Sequence, residues 1–303
     1  MGNPKVSVIM NCLNCAGYLR EAIDSVYAQT FGDWEIIFWD NASKDESAEI
    51  ARSYDGRLKY FRSDETVPLG KARNYAIEKV NGEYIAFLDC DDRWAPPKIE
   101  RQLAQFSLHP DALLVYSGYY TMNEEGKITG KYSPRAGTGN LLGRNLSNYE
   151  ANFQTVMLKR SALDPAERPY FDVTLEFAPD YNLIMWILGK GASISLSDIL
   201  VYSRKTTGSL TGKTLHRWGI EVEYAYRRLE RAGILEKLST PRQRERALAK
   251  SGYYKALHLI SKSDYPGAGK ILGLHKFAGY RYFLLYLLSC SPLLWKAVHD
   301  LKR

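Results

Sequence analysis

Tyr84-Ile-Ala-Phe-Leu88 runs without interruption into Asp89-Cys-Asp91-Asp92. Consecutive apolar residues bounded by Asn81-Gly82 on one side and by carboxylates on the other have the length of a buried strand, not of a helix. A helical pattern follows over Pro97–Ser107, and a further strand-like run over Leu113–Ser117. Towards the N-terminus the same alternation repeats. Val6–Met10 is a β-branched apolar run that ends at Asn11. Tyr18, Leu19, Ala22, Ile23, Val26 and Tyr27 recur at helical spacing. Glu35–Trp39 reads as a buried strand stopping at Asp40-Asn-Ala-Ser43, with a helix through Ala48, Ile50 and Ala51 behind it. A third strand covers Leu58–Phe61, and a helix over Gly70–Val80 closes at Asn81-Gly82. Strands separated by helices in this way build βαβ units. The expected fold is α/β and Rossmann-like, with a mostly parallel central sheet.

Beyond Tyr119 the pattern loosens into hairpin-like and loop-like pieces as far as Pro169. Thr155–Leu158 reads as a strand, Asp180–Leu188 as a helix entered through Pro179, and Ala192–Leu196 and Ile199–Tyr202 as two short strands. After Ser209 the chain turns helical, with Trp218, Val222, Ala225, Tyr226 and Leu229 on one face. Thr240-Pro241 and Ser291-Pro292 each have the form of an N-cap followed by proline at the first helical position.

The 303 residues suffice for roughly two domains at about 150 residues each. A composition of 45% hydrophobic and 25% charged residues excludes disordered and low-complexity classes. The formal charge of +7 invites a nucleic-acid or membrane reading, but it is unevenly placed. Residues 1–210 carry 23 basic and 27 acidic side chains, and residues 211–303 carry 18 and 7. The basicity belongs to the C-terminal part alone.

Cys12, Cys15, Cys90 and Cys290 form no framework of paired spacings, which argues against a secreted, disulfide-stapled fold. Cys12-Leu-Asn-Cys15 has CxxC spacing, but without a second pair or a nearby histidine it reads as incidental. No signal-peptide or myristoylation pattern opens the chain, and the most apolar stretch, Tyr282–Trp295, is interrupted and shorter than the ~18 to 20 residues of a bilayer span. A cytoplasmic protein without a transmembrane helix is expected.

In open α/β sheets, ligands bind beyond the carboxyl ends of the strands. Three of the runs end there in polar residues: Met10 at Asn11–Asn14, Trp39 at Asp40, and Leu88 at Asp89-Cys-Asp91-Asp92. Carboxylates this close repel and raise one another's pKa unless a cation intervenes. A hard divalent ion, Mg²⁺ or Mn²⁺, with oxygen ligands and bridging phosphates relieves that repulsion. A solvated acidic turn is the alternative.

Val6-Ser-Val-Ile, Asn14, Ser25-Val-Tyr-Ala-Gln-Thr30, Trp34-Glu-Ile-Ile37, Asp40-Asn-Ala-Ser-Lys-Asp45, Ala72-Arg-Asn74, Gly82–Asp89 and Asp91-Asp-Arg-Trp94 follow one another as in the family 2 glycosyltransferases. The resemblance covers about residues 5–210 and is of the bacterial cell-surface polysaccharide type. It implies a GT-A fold over residues 1–210, with a nucleotide-binding half to about 120 and an acceptor half over 121–210. A basic helical region over residues 211–303 lies beyond it. The implied activity is inverting transfer of a sugar from a nucleotide-sugar, with a UDP-sugar the expected donor, to a glycan or lipid-linked acceptor. By the same resemblance Asn11, Asn14 and Asp40 hold the nucleobase and ribose, and Arg73 lies near the nucleotide. Asp89 and Asp91 form the DxD that holds metal and diphosphate, with Asp91 the direct metal ligand and Asp92 behind it. Asp180, at a helix start after Phe171-Asp172, takes the place of the family's catalytic base, although Pro179 stands where a Glu is usual. Tyr202–Ser209 lacks the family's histidine, so Arg204 or Lys205 binds the diphosphate in its place or else lies in a solvated loop. Trp94 is a candidate for lining the sugar site, whereas Trp34 and Trp39 sit in a strand pattern and read as core.

In the C-terminal part, Tyr280, Tyr282, Phe283, Tyr286 and Trp295 lie beside Lys276, Arg281, Lys296, Lys302 and Arg303. Cations next to apolar side chains suit an anionic membrane surface, which implies a peripheral location at its cytoplasmic face. An ordinary helical subdomain with a solvated basic face is the competing reading. No nucleic-acid-binding motif is visible. Two rival functions stay open at this level: a nucleotidyltransferase on a related fold, and a non-catalytic module binding a sugar nucleotide or a membrane.

Overall fold

The computed structural model describes residues 2–206, 215–291 and 295. They fall into two compact units, residues 1–141 with 150–207, and residues 142–149 with 208–303.

The first unit opens with four parallel strands, β1 (Val6–Cys12), β2 (Trp34–Asp40), β3 (Leu58–Arg62) and β4 (Tyr84–Phe87), ordered β3-β2-β1-β4. Helices α1 (Ala16–Tyr27), α2 (Ser47–Arg52) and α3 (Leu69–Ile77) connect them. All seven residues of β2 are buried, so it reads as a continuous apolar run rather than an alternating one. Glu35 and the terminal Asp40 are the polar exceptions on that strand, and Glu35 is the one within the run. Its carboxylate accepts from Ser7 Oγ at 2.6 Å and the Asn81 backbone N–H at 3.0 Å, and pairs with Lys59 at 2.5 Å. The Asn81-Gly82 turn presses on β1 here, and a Cβ at Gly82 would stand 2.5 Å from the Ser7 nitrogen, so only glycine fits.

The sheet continues through β5 (Arg93–Trp94), β6 (Leu114–Met122), β7 (Ile128–Tyr132), β8 (Gly137–Gly139), β9 (Met157–Lys159) and β10 (Ser193–Arg204), in the path β4-β9-β6-β10-β5 with β7 on β6 and β8 on β10. Helices α4 (Lys98–Leu108) and α6 (Pro179–Lys190) accompany them. Only β6 and β10 run parallel in this half. β9 inserts antiparallel between β4 and β6. The α/β fold is as expected, but the sheet is parallel in one half and mixed in the other. An apolar run as short as β9 carries no signal of its direction. β10 is one strand where two were expected. Register shifts between Ser195 and Ile199, and between Ile199 and Val201, carry the polar Ser197-Asp198 past β6 without breaking the ladder. Val8, Met10, Ile23, Phe38, Ala86 and Ile99 lie in the central core cluster.

The second unit contains α5 (Leu142–Ser147), α7 (Leu215–Arg231), α8 (Ile234–Leu238), α9 (Pro241–Ser261), α10 (Tyr265–Leu274) and α11 (Tyr280–Ser289). Thr240 caps α9 in a complete capping box with Gln243. Helices α7 and α9 approach closely at Gly219, where a Cβ would lie 2.6 Å from the Ser251 carbonyl oxygen. Ala256, Ala268 and Leu272 form a small core with Leu259, Ile260, Leu285 and Tyr286 packed on it. Trp295, one of the aromatic residues read from sequence as facing a membrane surface, is buried at 4% exposure. The cap expected at Pro292, and Ser209, Lys296, Lys302 and Arg303, lie outside the described residues. Among the described residues no helix is long and apolar enough to cross a membrane.

Candidate active site

Parallel pairing aligns the carboxyl ends of three strands on one edge. Cys12 pairs with Asp40, and Ile9 with Phe87, so the chain leaving β4 passes beside Asn11. Leu88 donates its N–H to the Ile9 carbonyl at 3.0 Å, and the turn Asp89–Asp92 begins immediately after. The three polar strand ends read from the sequence therefore converge.

Asp89 is half-buried, and its Oδ2 accepts from Gln154 Nε2. Arg73 enters from α3, almost fully buried, with its guanidinium 4.2 Å from the centre of the Phe153 ring and 5.6 Å from that of Phe171. One of its nitrogens lies 3.6 Å from Asp89 Oδ1 and another 3.7 Å from Asp180 Oδ1. A single cation thus joins the first carboxylate of the DxD to the carboxylate at the start of α6. The Ala72-Arg-Asn74 motif supplies a second tie. The Asn74 side chain donates to the Phe171 carbonyl at 2.7 Å and accepts the Phe171 N–H at 2.9 Å. Asp180 keeps its place through these two contacts of α3. Burial raises the Asp180 pKa, Arg73 opposes that, and the Asp89 charge adds to it.

Burial, then the Asp89 charge, pushes Asp91 up to about 6. Asp92 is buried and driven up by burial and by both neighbouring carboxylates, and its Oδ1 accepts the Arg204 backbone N–H at 2.7 Å. Arg204 is enclosed rather than open to solvent. Nε donates to the Asp91 carbonyl at 2.9 Å, Nη1 to the Glu124 carbonyl at 2.8 Å, and Nη2 pairs with Glu21 Oε2 at 2.5 Å. It braces the acidic turn and has no nitrogen left over for a diphosphate. Lys205 is exposed.

Asp40 has no exposed surface. Its Oδ2 accepts from Tyr60 Oη and Arg62 Nη1, both at 2.6 Å, and its Oδ1 accepts the Ser43 N–H at 2.7 Å. Burial pushes its pKa up, but the Tyr60, Ser43 and Arg62 contacts outweigh it and the net shift is downward. Asn14 adopts a left-handed φ of 55°, and its Oδ1 accepts the Lys44 N–H at 2.8 Å. Asn11 differs: its Nδ2 has no hydrogen-bond partner among the described residues. Trp94 does not line a sugar site. It is 3% exposed, donates Nε1–H to the Gln154 carbonyl at 3.2 Å, and carries the Lys98 ammonium 3.9 Å over its ring. Trp34 and Trp39 are core, as their strand pattern implied. Glu21 and Gln154 were not apparent from sequence. Each meets its partner across a gap in the chain, 183 residues for Glu21 to Arg204 and 65 for Gln154 to Asp89.

The donor set suits a hard divalent ion. Asp89 and Asp91 offer only oxygens, and their mutual repulsion is relieved by a cation. Among the described residues no three carboxylates bring their oxygens within 4.8 Å of one another. Such a cation would be held by one or two aspartates and completed by substrate phosphates, as Mg²⁺-type sites commonly are.

Residues 7–164, just over half of the chain, match the profile of Glycosyl transferase family 2. The chain belongs to this family. A glycosyltransferase of Rickettsia typhi without assigned substrate is 31% identical over 71% of this chain and 68% of its own length. Another from Rickettsia bellii is 34% identical, but there the chain spans 27% of the relative's length. The Escherichia coli UDP-Glc:α-D-GlcNAc-diphosphoundecaprenol β-1,3-glucosyltransferase WfaP is 31% identical over 68% of this chain and 79% of its own length. Among solved structures, Staphylococcus aureus TarS 1-349 in complex with UDP-GlcNAc superposes with a TM-score of 0.67 at 20% identity, covering 97% of this chain and 87% of that one. The Pyrobaculum calidifontis mannosyltransferase PcManGT, bound to GDP-Man and Mn²⁺, gives 0.59 at 16% identity over 99% and 87%. These superpositions show the GT-A-like fold, and the family match makes the chain a glycosyltransferase.

Proposed function

We propose that this family 2 enzyme transfers a sugar from a nucleotide-sugar, a UDP-sugar in the first instance, to a glycan or lipid-linked acceptor with inversion, and that Asp180 is the general base. The observation that carries the reading is the Arg73 bridge, which holds Asp180 and the DxD residue Asp89 against one guanidinium. The UDP-linked substrates in the names of WfaP and of the TarS complex support the choice of donor.

In this reading Asn11 offers its unpartnered Nδ2–H to the nucleoside. Asp40 and Asn14 fix the loop around it, Asp40 from beneath through its bonds to Ser43, Tyr60 and Arg62 rather than by touching the base. Asp91, assisted by Asp89, would hold a divalent cation, with Asp92 and Arg204 setting the turn behind them. When bound, that cation supplies positive charge to the departing diphosphate. Asp180 accepts the proton of the acceptor hydroxyl as its oxygen attacks the anomeric carbon, and the carbon–oxygen bond to the diphosphate breaks on the opposite face. A base with a pKa raised by burial is a stronger proton acceptor than a solvated carboxylate, while Arg73 and the backbone N–H groups at the helix start favour its charged form.

The test is turnover of UDP-sugars with Mn²⁺ by Asp180→Asn and Asp91→Asn. Each variant should lose about 100-fold or more in kcat. NMR of the product should show the anomeric configuration inverted. Full turnover by both variants, or retention of configuration, would refute the mechanism.

The work site we assign is the cytoplasmic face of an anionic membrane, contacted through α10 and α11. Leu274, Phe277, Tyr280, Phe283, Leu284 and Leu287 are exposed, with Lys276 and Arg281 among them. Exposed apolar side chains interleaved with cations suit the headgroup boundary of such a bilayer.

A further inference from the structure

Cys12 ends β1, Cys15 precedes α1, and Cys90 sits inside the acidic turn after β4. Their three Sγ atoms lie within 4.8 Å of one another, and this is the single group of three or more potential metal-ligating side chains found among the described residues. The CxxC spacing that looked incidental in the sequence is thus completed from another strand end, 75 residues further along the chain. We propose that Cys12, Cys15 and Cys90 form a binding site for one thiophilic cation of the zinc class, separate from the oxygen-lined site of Asp89 and Asp91.

Three points that are no more than 4.8 Å apart all lie within about 2.8 Å of a common centre, whereas a zinc–thiolate bond is about 2.3 Å long. An inward shift of about half an ångström per sulfur closes the site, well within side-chain rotation. Three thiolates are soft ligands and select Zn²⁺ or Cu⁺ over Mg²⁺ and Mn²⁺, so the two sites discriminate by chemistry although Cys90 lies between the two aspartates. Cys12 and Cys90 are buried and Cys15 is partly exposed, so a cation would enter from the Cys15 side. Ser43 Oγ, 3.7 Å from Cys12 Sγ, is a further oxygen close by.

Hydrophobic packing accounts for burial of Cys12 and Cys90 one at a time. It does not account for three sulfurs converging from the CxxC stretch and a second strand end. The other contacts of the sulfurs are weak: Cys90 donates to the Asn11 carbonyl at 3.3 Å, and Cys15 to the Leu13 carbonyl at 3.5 Å. All four cysteines are free thiols. Occupancy ties the Asn11–Asn14 loop to the Asp89–Asp92 turn, so the cation fastens together two loops at the strand ends.

The experiment uses the full-length protein, reduced, freed of metal with EDTA and titrated anaerobically with Co²⁺. A thiolate-to-cobalt charge-transfer band should grow to saturation at one cobalt per chain and disappear when Zn²⁺ is added. Cys15→Ser and Cys12→Ser should lose the band, while Cys290→Ser should keep it. The partly exposed Cys15 makes Cys15→Ser the variant least prone to misfold, and its melting temperature without metal should match that of the wild type. Absence of the band in folded wild-type protein, or its persistence in folded Cys15→Ser, overturns the proposal. So does loss of two thiols on peroxide treatment, with a mass decrease of two hydrogens, in a protein that shows no cobalt band, since the cluster would then be a disulfide pair. None of these outcomes depends on whether Asp180 and Asp91 act in sugar transfer.

Discussion

Burial and the Asp89 charge raise Asp91 to about 6, so the folded chain holds this proton more tightly than the unfolded one. The stability that the group contributes is present below its unfolded pKa of about 3.9 and is lost as the pH rises through about 6. In EDTA at pH 7, Asp91→Asn should therefore melt about 2–4 °C above the wild type, and the difference should vanish near pH 4. Added Mn²⁺ should raise the wild-type melting temperature and leave that of the variant unchanged. A variant that melts lower at pH 7 would contradict the charge argument. Asp180 titrates in the same direction, with burial leading and Arg73 opposing. The acid limb of kcat/KM should consequently lie above the ordinary carboxylate range, with rate falling as the pH drops through it. Arg73→Met should move that limb to still higher pH, and Arg73→Lys should move it less. A limb unaltered in Arg73→Met would remove Arg73 from the base's surroundings. Asp89 and Asp91 stood out in the sequence because the end of an apolar strand is a local signal, and Asp180 stood out only through the family resemblance. The brace of Arg204 on Glu21 was not, since its partners are 183 residues apart.

At the scale of elements, α3 governs where α6 begins. Asn74 on α3 binds the backbone of Phe171 through both its donor and its acceptor, upstream of Asp180. Asn74→Ala should cost about 2–3 kcal/mol by leaving two buried backbone groups unpaired. It should also lower kcat more than it raises the donor KM, because the base moves while the strand ends stay. Equal unfolding midpoints in denaturant for variant and wild type would show that the tie is dispensable. The parallel strands β1 to β4 could be read from sequence because each is a short apolar run closed by turn residues, a pattern set within ten residues. β9 and β10 could not be read as reliably. The direction of β9 is set by its neighbours β4 and β6, and the continuity of β10 by bulges that only the ladder with β6 reveals.

Across the whole molecule, the +7 describes neither part of the chain. An acidic stretch carries the strand-end carboxylates, and a basic stretch carries exposed apolar side chains on α10 and α11. If those side chains enter a bilayer, Phe277→Ser with Phe283→Ser should weaken binding to vesicles containing anionic lipid by about tenfold or more, since each buried phenyl group is worth roughly 1.5–3 kcal/mol. Raising the salt should weaken binding further through Lys276 and Arg281. Sedimentation with vesicles measures both, and unchanged binding would eliminate this surface. By itself the sequence determined the α/β class, the positions of the first strands along the chain, the acidic turn after β4 and the division of charge, all of them consequences of local periodicity and composition. Only the tertiary structure decided that Arg73 spans Asp89 and Asp180, that Arg204 and Trp94 face inward, and that Cys90 joins Cys12 and Cys15. Those are meetings of side chains far apart in the chain, and they exist only once the parallel register has brought the strand ends to one edge.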